Sequence, residues 1–109
     1  HGDGSMGQNA MEIDTAVRHD LPVVTVISNN AGWTARTPGQ RKPGRELGFT
    51  AYHKMAESLG AYGEEVTDPA EIKPALDRAY SSGKAAVINV IVEPTAAGVS
   101  RAWGGSRME

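Results

Sequence analysis

Two apolar runs too short for typical helices, with helical stripes between and around them, constrain this chain more than any other feature. They are VVTVIS at 23–28 and AAVINVIV at 85–92. β-Branched residues crowd both, as strands buried in a parallel sheet require. Ahead of the first run, Asn9-x-x-Glu12 reads as a capping box. With Met11, Ala16 and Val17 behind it, it predicts a helix to about His19. Tyr52, Met55, Ala56 and Leu59 form a second stripe that Gly60 ends, and residues 62–66 read as a short strand. Asp68 then serves as an N-cap with Pro69 at the first helical position, and Glu71 completes a second capping box. Ile72, Ala75, Leu76 and Ala79 supply that helix with an apolar face, which Gly83 closes. The order is helix, strand, loop, helix, strand, helix, strand, tail, with a further strand end implied before Gly2. Such alternation predicts an α/β fold, a parallel sheet flanked by helices and built from right-handed crossovers. Met11 and Met55 are expected in its core.

Composition removes several functions. Eleven Lys and Arg against 13 Asp and Glu leave a formal charge of −2, which argues against nucleic-acid binding driven by bulk charge. The absence of Cys excludes disulfides, a thiolate zinc site and a Cys nucleophile in this stretch. No apolar run approaches the ~20 residues of a membrane-spanning helix. What remains is a globular domain with one conspicuous irregularity. Between Asn29 and about Gly48 there is no periodicity, only Gly32, Gly39, Gly44, Pro38 and Pro43 among polar residues. Loops of that length in compact domains are usually functional or disordered.

Two signals frame this loop and the helix before it. Gly2-Asp3-Gly4 stands at the implied strand end, and Asn29-Asn30 at the end of the following strand, 27 positions separating Asp3 from Asn30. Side chains at the C-terminal ends of neighbouring parallel strands converge on one crevice, where open α/β sheets bind ligands. A carboxylate and an amide oxygen are hard donors that suit Mg²⁺. The Gly32 carbonyl adds a third oxygen, because glycine lets the chain approach closely. Three protein oxygens leave positions for phosphate and water, which Mg²⁺ prefers to a closed protein cage. Backbone N–H groups of Gly4 and Ser5 are placed to meet the phosphates.

The same residues contain a competing pattern. Gly2-x-Gly4-x-x-Gly7 matches the dinucleotide fingerprint, but that fingerprint wants an acidic residue near the end of the second strand. Asn29 and Asn30 stand there instead, so a nicotinamide or non-catalytic nucleotide-binding or subunit-interface module is the weaker alternative.

Gly2-Asp3-Gly4-Ser5 followed by Asn29-Asn30 resembles the diphosphate-binding signature of thiamine diphosphate enzymes. The stretch MEIDTAVR at 11–18 with Leu21-Pro22-Val23 is similar to the decarboxylase and acetolactate synthase branch. AVINVIVEPTA at 86–96 looks like the end of 2-hydroxyacyl-CoA lyases and oxalyl-CoA decarboxylases. The resemblance implies thiamine diphosphate and Mg²⁺ as cofactors, with Asp3, Asn30 and the Gly32 carbonyl on the metal. It places Gly4, Ser5, Trp33 and Thr34 near the diphosphate. It implies carbon–carbon lyase chemistry, most simply cleavage of a 2-hydroxyacyl-CoA to formyl-CoA and an aldehyde or ketone. Oxalyl-CoA decarboxylation and acetolactate synthase-like carboligation of 2-keto acids are the alternatives. It also implies a second subunit, as a homodimer or homotetramer, and an activating Glu elsewhere in the polypeptide. None of Glu12, Glu46, Glu57, Glu64 or Glu65 sits in a matching motif.

The chain opens on His1 and lacks the strand that should present Asp3, so it is expected to be the C-terminal piece of a longer polypeptide and catalytically incomplete by itself. Residues 1–95 are then the C-terminal part of the diphosphate-binding domain, and 96–109 a tail, read as a disordered end or, as the resemblance implies, as a lid over the active site. Arg36, Arg41, Lys42 and Arg45 concentrate positive charge in the long loop, which either faces an anionic cofactor or CoA or is simply solvated. Gln40 in that loop is a candidate for reaching the reacting centre, and Arg101, Trp103 and Arg107 in the tail for contacting CoA. His1 is a candidate for lining the cleft. His19 is expected at a helix C-terminus, and His53 has no acidic or His partner at ligand spacing. The residues Arg107-Met108-Glu109 form no peroxisomal address, which leaves a cytoplasmic location as the default expectation.

Overall fold

The computed structural model describes residues 1–33 and 43–95. Three strands form one parallel sheet in the order β1-β3-β2, with β1 at Val24–Asn29, β2 at Tyr62–Val66 and β3 at Ala86–Ile91. The most apolar strand takes the centre. Ala86, Val87, Ile88, Asn89 and Val90 of β3 are all buried, because hydrogen-bonded neighbours flank the strand and helices cover both faces. Register puts Ile27 of β1 and Glu65 of β2 on either side of Asn89, and Val26 and Glu64 on either side of Ile88. The implied strand end is present too. Gly2 bridges Ser28 in parallel, and the Ser28 N–H donates to the His1 carbonyl at 2.8 Å.

Side-chain alternation gives the sheet two apolar faces. On one, Ile27 and Val87 pack with Met6 of α1 (Asp3–Asn9), Ile13 and Ala16 of α2 (Glu12–Arg18), and Tyr52 and Ala56 of α3 (Tyr52–Ser58). On the other, Val66, Ala86, Ile88 and Val90 pack with Ala75 and Ala79 of α4 (Ile72–Ser81), edged by Ile72 and Leu76. Strand β1 is less covered than its β-branched composition predicts. Val26 is 37% exposed and Ser28 lies open, since the apolar face of α4 sits over β2 and β3.

The single expected helix to His19 is two helices. Asn9 is the last residue of α1 rather than a cap, and Met11 precedes α2 without a side-chain cap bond. Ala10 and Met11 keep right-handed backbone angles, so the chain bends at this point instead of restarting from a capped end. The bend lets Met6, Ile13 and Ala16 all reach the sheet and turns Met11 outward, 64% exposed and not in the core. Met55 does pack against the core. Asp68 caps as its sequence predicts, accepting the Ala70 N–H at 2.9 Å, but Pro69–Glu71 form a 3-10 turn ahead of α4. The Glu71 carboxylate lies 3.5 Å from Arg78 rather than closing a box with Asp68.

Candidate functional site

The site is built where two parallel chain segments end side by side. The chain leaves its pairing with β1 at Gly2 and enters α1 at Asp3, while β1 ends at Asn29 and continues through Asn30, Ala31 and Gly32. These ends meet through one bond. The Gly32 N–H donates to Asp3 Oδ2 at 2.7 Å. Asp3 is 2% exposed, and among the described residues no Lys, Arg or His side chain forms an ion pair with it. Its own carbonyl accepts the Tyr52 hydroxyl at 2.9 Å, which ties the start of α1 to the start of α3.

The turn between Asn29 and Gly32 is held from both sides. Ala31, 1% exposed, has φ 57°, a left-handed backbone that costs an L-residue about 1–2 kcal/mol. Its N–H donates to Asn29 Oδ1 at 3.1 Å, and its carbonyl accepts the Leu47 N–H at 3.0 Å. Two bonds of about 1 kcal/mol each offset that strain, so the turn persists. The Trp33 N–H donates to the Arg45 carbonyl at 2.9 Å and Gly32 bridges Glu46, which closes the base of the long loop as an antiparallel pair.

Below this turn lies a buried amide cluster that the sequence did not reveal as one. Asn29 and Asn89, both 0% exposed, are joined by Asn29 Nδ2 donating to Asn89 Oδ1 at 3.1 Å. Both amides also donate to the Thr50 carbonyl, at 3.1 and 3.3 Å. The two asparagines of the pair therefore differ. Asn29 is a structural hub inside the sheet, while Asn30, half-buried, follows the strand end beside Asp3 and Gly32. An Asn inside the apolar run at 86–91 was the available signal for Asn89, because a buried amide demands partners.

Gly4 and Trp33 also meet. A Cβ on Gly4 would stand 2.7–2.9 Å from three carbons of the Trp33 indole, so the ring lies flush on the first turn of α1. Gly4 and Ser5 belong to that first turn, and the Ser5 hydroxyl donates to the Gly2 carbonyl at 3.0 Å. The structure thus brings Asp3, Gly4, Gly32 and Trp33 into contact, with Ser5 and Asn30 adjacent in the chain. His1 donates from its α-amino group to the Val26 carbonyl and lines a cavity of about 240 Å³ with Ser5, Met6 and Ile13, a lining that does not include Asp3. His19 is the C-cap of α2, as expected. Arg45 is exposed at the base of the loop. Thr34, Arg36, Gln40, Arg41 and Lys42, and Arg101, Trp103 and Arg107 with the rest of the tail, lie outside the described residues.

No group of three His, Asp or Glu side chains converges among the described residues, so a cation here would rest on one carboxylate supplemented by amide and carbonyl oxygens. That donor set suits a hard divalent ion with positions left for phosphate.

Comparison with known proteins gives a consistent result. The family described as "Thiamine pyrophosphate enzyme, C-terminal TPP binding domain" matches residues 1–90. A probable acetolactate synthase from Mycobacterium bovis is 40% identical over 107 residues, covering 88% of this chain and 19% of that protein. A 2-hydroxyacyl-CoA lyase from Oryza sativa is 39% identical over 106 residues, covering 87% of this chain and 18% of that protein. A crystal structure of a putative thiamin diphosphate-dependent enzyme from Mycobacterium smegmatis superposes with a TM-score of 0.70 at 26% identity, over 85% of this chain and 17% of that one. The chain spans about a fifth of the length of the curated relatives it matches.

Proposed function

The chain belongs to the thiamine pyrophosphate enzyme family, and on that premise we propose that it supplies the diphosphate- and Mg²⁺-binding part of an enzyme that makes or breaks carbon–carbon bonds. The supporting observation is the Asp3 carboxylate. A buried carboxylate pinned by one backbone N–H at 2.7 Å, without an ion-paired side chain among the described residues, calls for a counter-charge. A bonded Oδ2 still leaves the carboxylate with acceptor capacity, since it offers about four lone-pair positions. Asp3, Asn30 and the Gly32 carbonyl are the metal ligands in this reading. Gly4 and Ser5, in the first turn of α1 where N–H groups lack helical acceptors, face the diphosphate with Trp33 and Thr34.

Thiamine diphosphate supplies a carbanionic ring carbon and an electron sink for carbonyl chemistry. The residues of this chain contribute binding and orientation. Asp3 neutralises the cation and is itself aimed by Gly32. Trp33, lying flush on Gly4, excludes water from one side of the first turn. Asn29 and Thr50 hold the turn to the sheet. Residues 1–95 form this binding unit, and 96–109, with Arg101 and Trp103, act as a closing tail over an acyl-CoA. The activating Glu and the rest of the active site come from other parts of the polypeptide and from a second subunit.

Within the family, cleavage of a 2-hydroxyacyl-CoA to formyl-CoA and a carbonyl compound is the reading adopted, on the likeness to 2-hydroxyacyl-CoA lyases. Carboligation of 2-keto acids is the second reading, because the likeness to a probable acetolactate synthase is as high, 40% against 39%. Calorimetric titration of thiamine diphosphate with and without Mg²⁺ tests the cofactor assignment. Equal affinity in wild type, Asp3→Ala and Asn30→Ala overturns it. In the complete polypeptide, formyl-CoA release from a hydroxyacyl-CoA against acetolactate formation from pyruvate separates the two reactions.

A further inference from the structure

His53 carries the one buried side-chain nitrogen or oxygen that lacks a hydrogen-bond partner among the described residues, its Nδ1. Buried polar atoms are almost always paired, so an orphan of this kind marks a strained or functional position. Its nearest acidic neighbour comes from another element. Glu65 Oε2, on β2, lies 3.6 Å from Nδ1, just outside hydrogen-bond range. The same carboxylate oxygen is 3.5 Å from Asn89 Nδ2, and Asn89 in turn joins Asn29, whose Oδ1 holds the Ala31 N–H. A line of polar groups therefore runs His53, Glu65, Asn89, Asn29, Ala31, hydrogen-bonded from Glu65 onwards and open at its first step. One residue further, the Gly32 N–H holds Asp3.

From this juxtaposition we propose that His53 is a positioning residue for the Ala31–Gly32 turn, acting through Glu65 and the buried amides of Asn89 and Asn29. The lever is the shared oxygen. Protonation of the imidazole places a charged donor 3.6 Å from Oε2, and the carboxylate closes on the ring. Asn89 Nδ2 reaches that oxygen only at 3.5 Å, so its amide turns towards its other acceptor, the Thr50 carbonyl at 3.3 Å. Asn29 shares that acceptor and re-aims with it, carrying the Ala31 N–H. Other charges do not short-circuit the path. On α3 itself Lys54 and Glu57 pair with each other at 3.0 Å. Glu64 of β2 is engaged by Arg78 on the α4 side of the sheet, and β3 and β1 present only the neutral amides. A close fit keeps the elements in register. A Cβ at Gly63 would strike the His53 carbonyl and the Glu57 side chain, so α3 lies directly on β2.

The inference concerns the turn to which the proposed function assigns the metal, but its test reads the backbone without any cofactor, so the two can fail separately. Amide and imidazole signals are followed by NMR in the complete polypeptide, free of cofactor and selectively labelled at Ala, Gly and His, from about pH 5 to about pH 8.5, the range in which histidines change charge. The Ala31 and Gly32 amides are expected to shift with the midpoint of the His53 ring. That component disappears in His53→Gln. It also disappears in Glu65→Gln, a substitution at a side chain 41% exposed that leaves the fold intact. Turn amides that do not move, that follow the midpoints of His1 or His19, or that keep the component in His53→Gln overturn the proposal.

Discussion

Asp3 Oδ2 accepts the backbone N–H of Gly32 at 2.7 Å across 29 positions of sequence. The bond joins the start of α1 to the residue that follows the end of β1, and it makes one unit of two loops that carry separate short motifs. It also means that the carboxylate has two duties, holding the turn and, in the proposed function, holding a cation.

Those duties separate on substitution. Asp3→Asn keeps an acceptor oxygen for Gly32 but loses the charge. Fold stability is expected to stay close to wild type, while Mg²⁺-dependent thiamine diphosphate affinity falls by more than about tenfold. Asp3→Ala also leaves a buried N–H unpaired and loses a further 1–3 kcal/mol, roughly, of stability. Calorimetry and urea denaturation on the two variants check both halves.

The two adjacent asparagines are expected to behave differently. Asn29 donates to Asn89 and Thr50 and accepts from Ala31 inside a fully buried environment. Asn29→Ala is therefore expected to destabilise by about 2–4 kcal/mol. Asn30→Ala, at a half-buried position, should affect metal-dependent cofactor binding more than stability. Denaturation midpoints that fall equally in both variants would contradict this division.

Gly4 and Trp33 form a contact testable by a double-mutant cycle. The Cβ of Gly4→Ala meets indole carbons at 2.7–2.9 Å, which is expected to cost about 1–3 kcal/mol. Trp33→Ala clears the space, so the same Gly4→Ala change becomes nearly neutral in that background. Gly63→Ala is expected to cost more than Gly4→Ala, because its Cβ meets the His53 backbone carbonyl, which cannot rotate away. Additive effects of the Gly4 and Trp33 changes would remove the contact from consideration.

Acid and alkaline stability should respond to the Tyr62–Glu64–Arg78 cluster, which ties α4 to β2. The hydrogen bond from Arg78 holds the Glu64 carboxyl below its ordinary value of 4.5, against the opposing effect of burial and with help from the Tyr62 hydroxyl. Its folded value lies below its unfolded one, so the stabilisation is present above pH 4.5 and is lost as pH falls through the folded value. Tyr62 is raised above its ordinary 10.0, first by its bond to Glu64, so stability declines again as pH climbs past 10. Glu64→Gln is expected to shrink the change in urea midpoint between about pH 7 and about pH 3. An unchanged acid limb in that variant would show that the ion pair contributes nothing.

Much of this molecule follows from local pattern. The strand at 62–66, the apolar faces of α3 and α4, the Asp68 cap and the parallel α/β layout are written in spacing, because periodicity and capping act within a few residues. Gly2-Asp3-Gly4 and Asn29-Asn30 likewise marked two neighbouring strand ends. Local pattern failed at the α1–α2 junction, where burial of Met6, Ile13 and Ala16 together outweighed the Asn9 capping signal. It could not divide the labour between Asn29 and Asn30, since that depends on which side of β1 faces Asn89 on β3. Nor could it pair His53 with Glu65, 12 residues away on another element, or lay Trp33 on Gly4. Short-range sterics and hydrophobic periodicity laid down most of the elements and put Gly2-Asp3-Gly4 and Asn29-Asn30 at strand ends. Which polar groups meet depends on long-range packing. Contacts between residues far apart in the chain follow from the strand order β1-β3-β2 and from how closely α1 and α3 approach the sheet, and these are set by packing of the whole core.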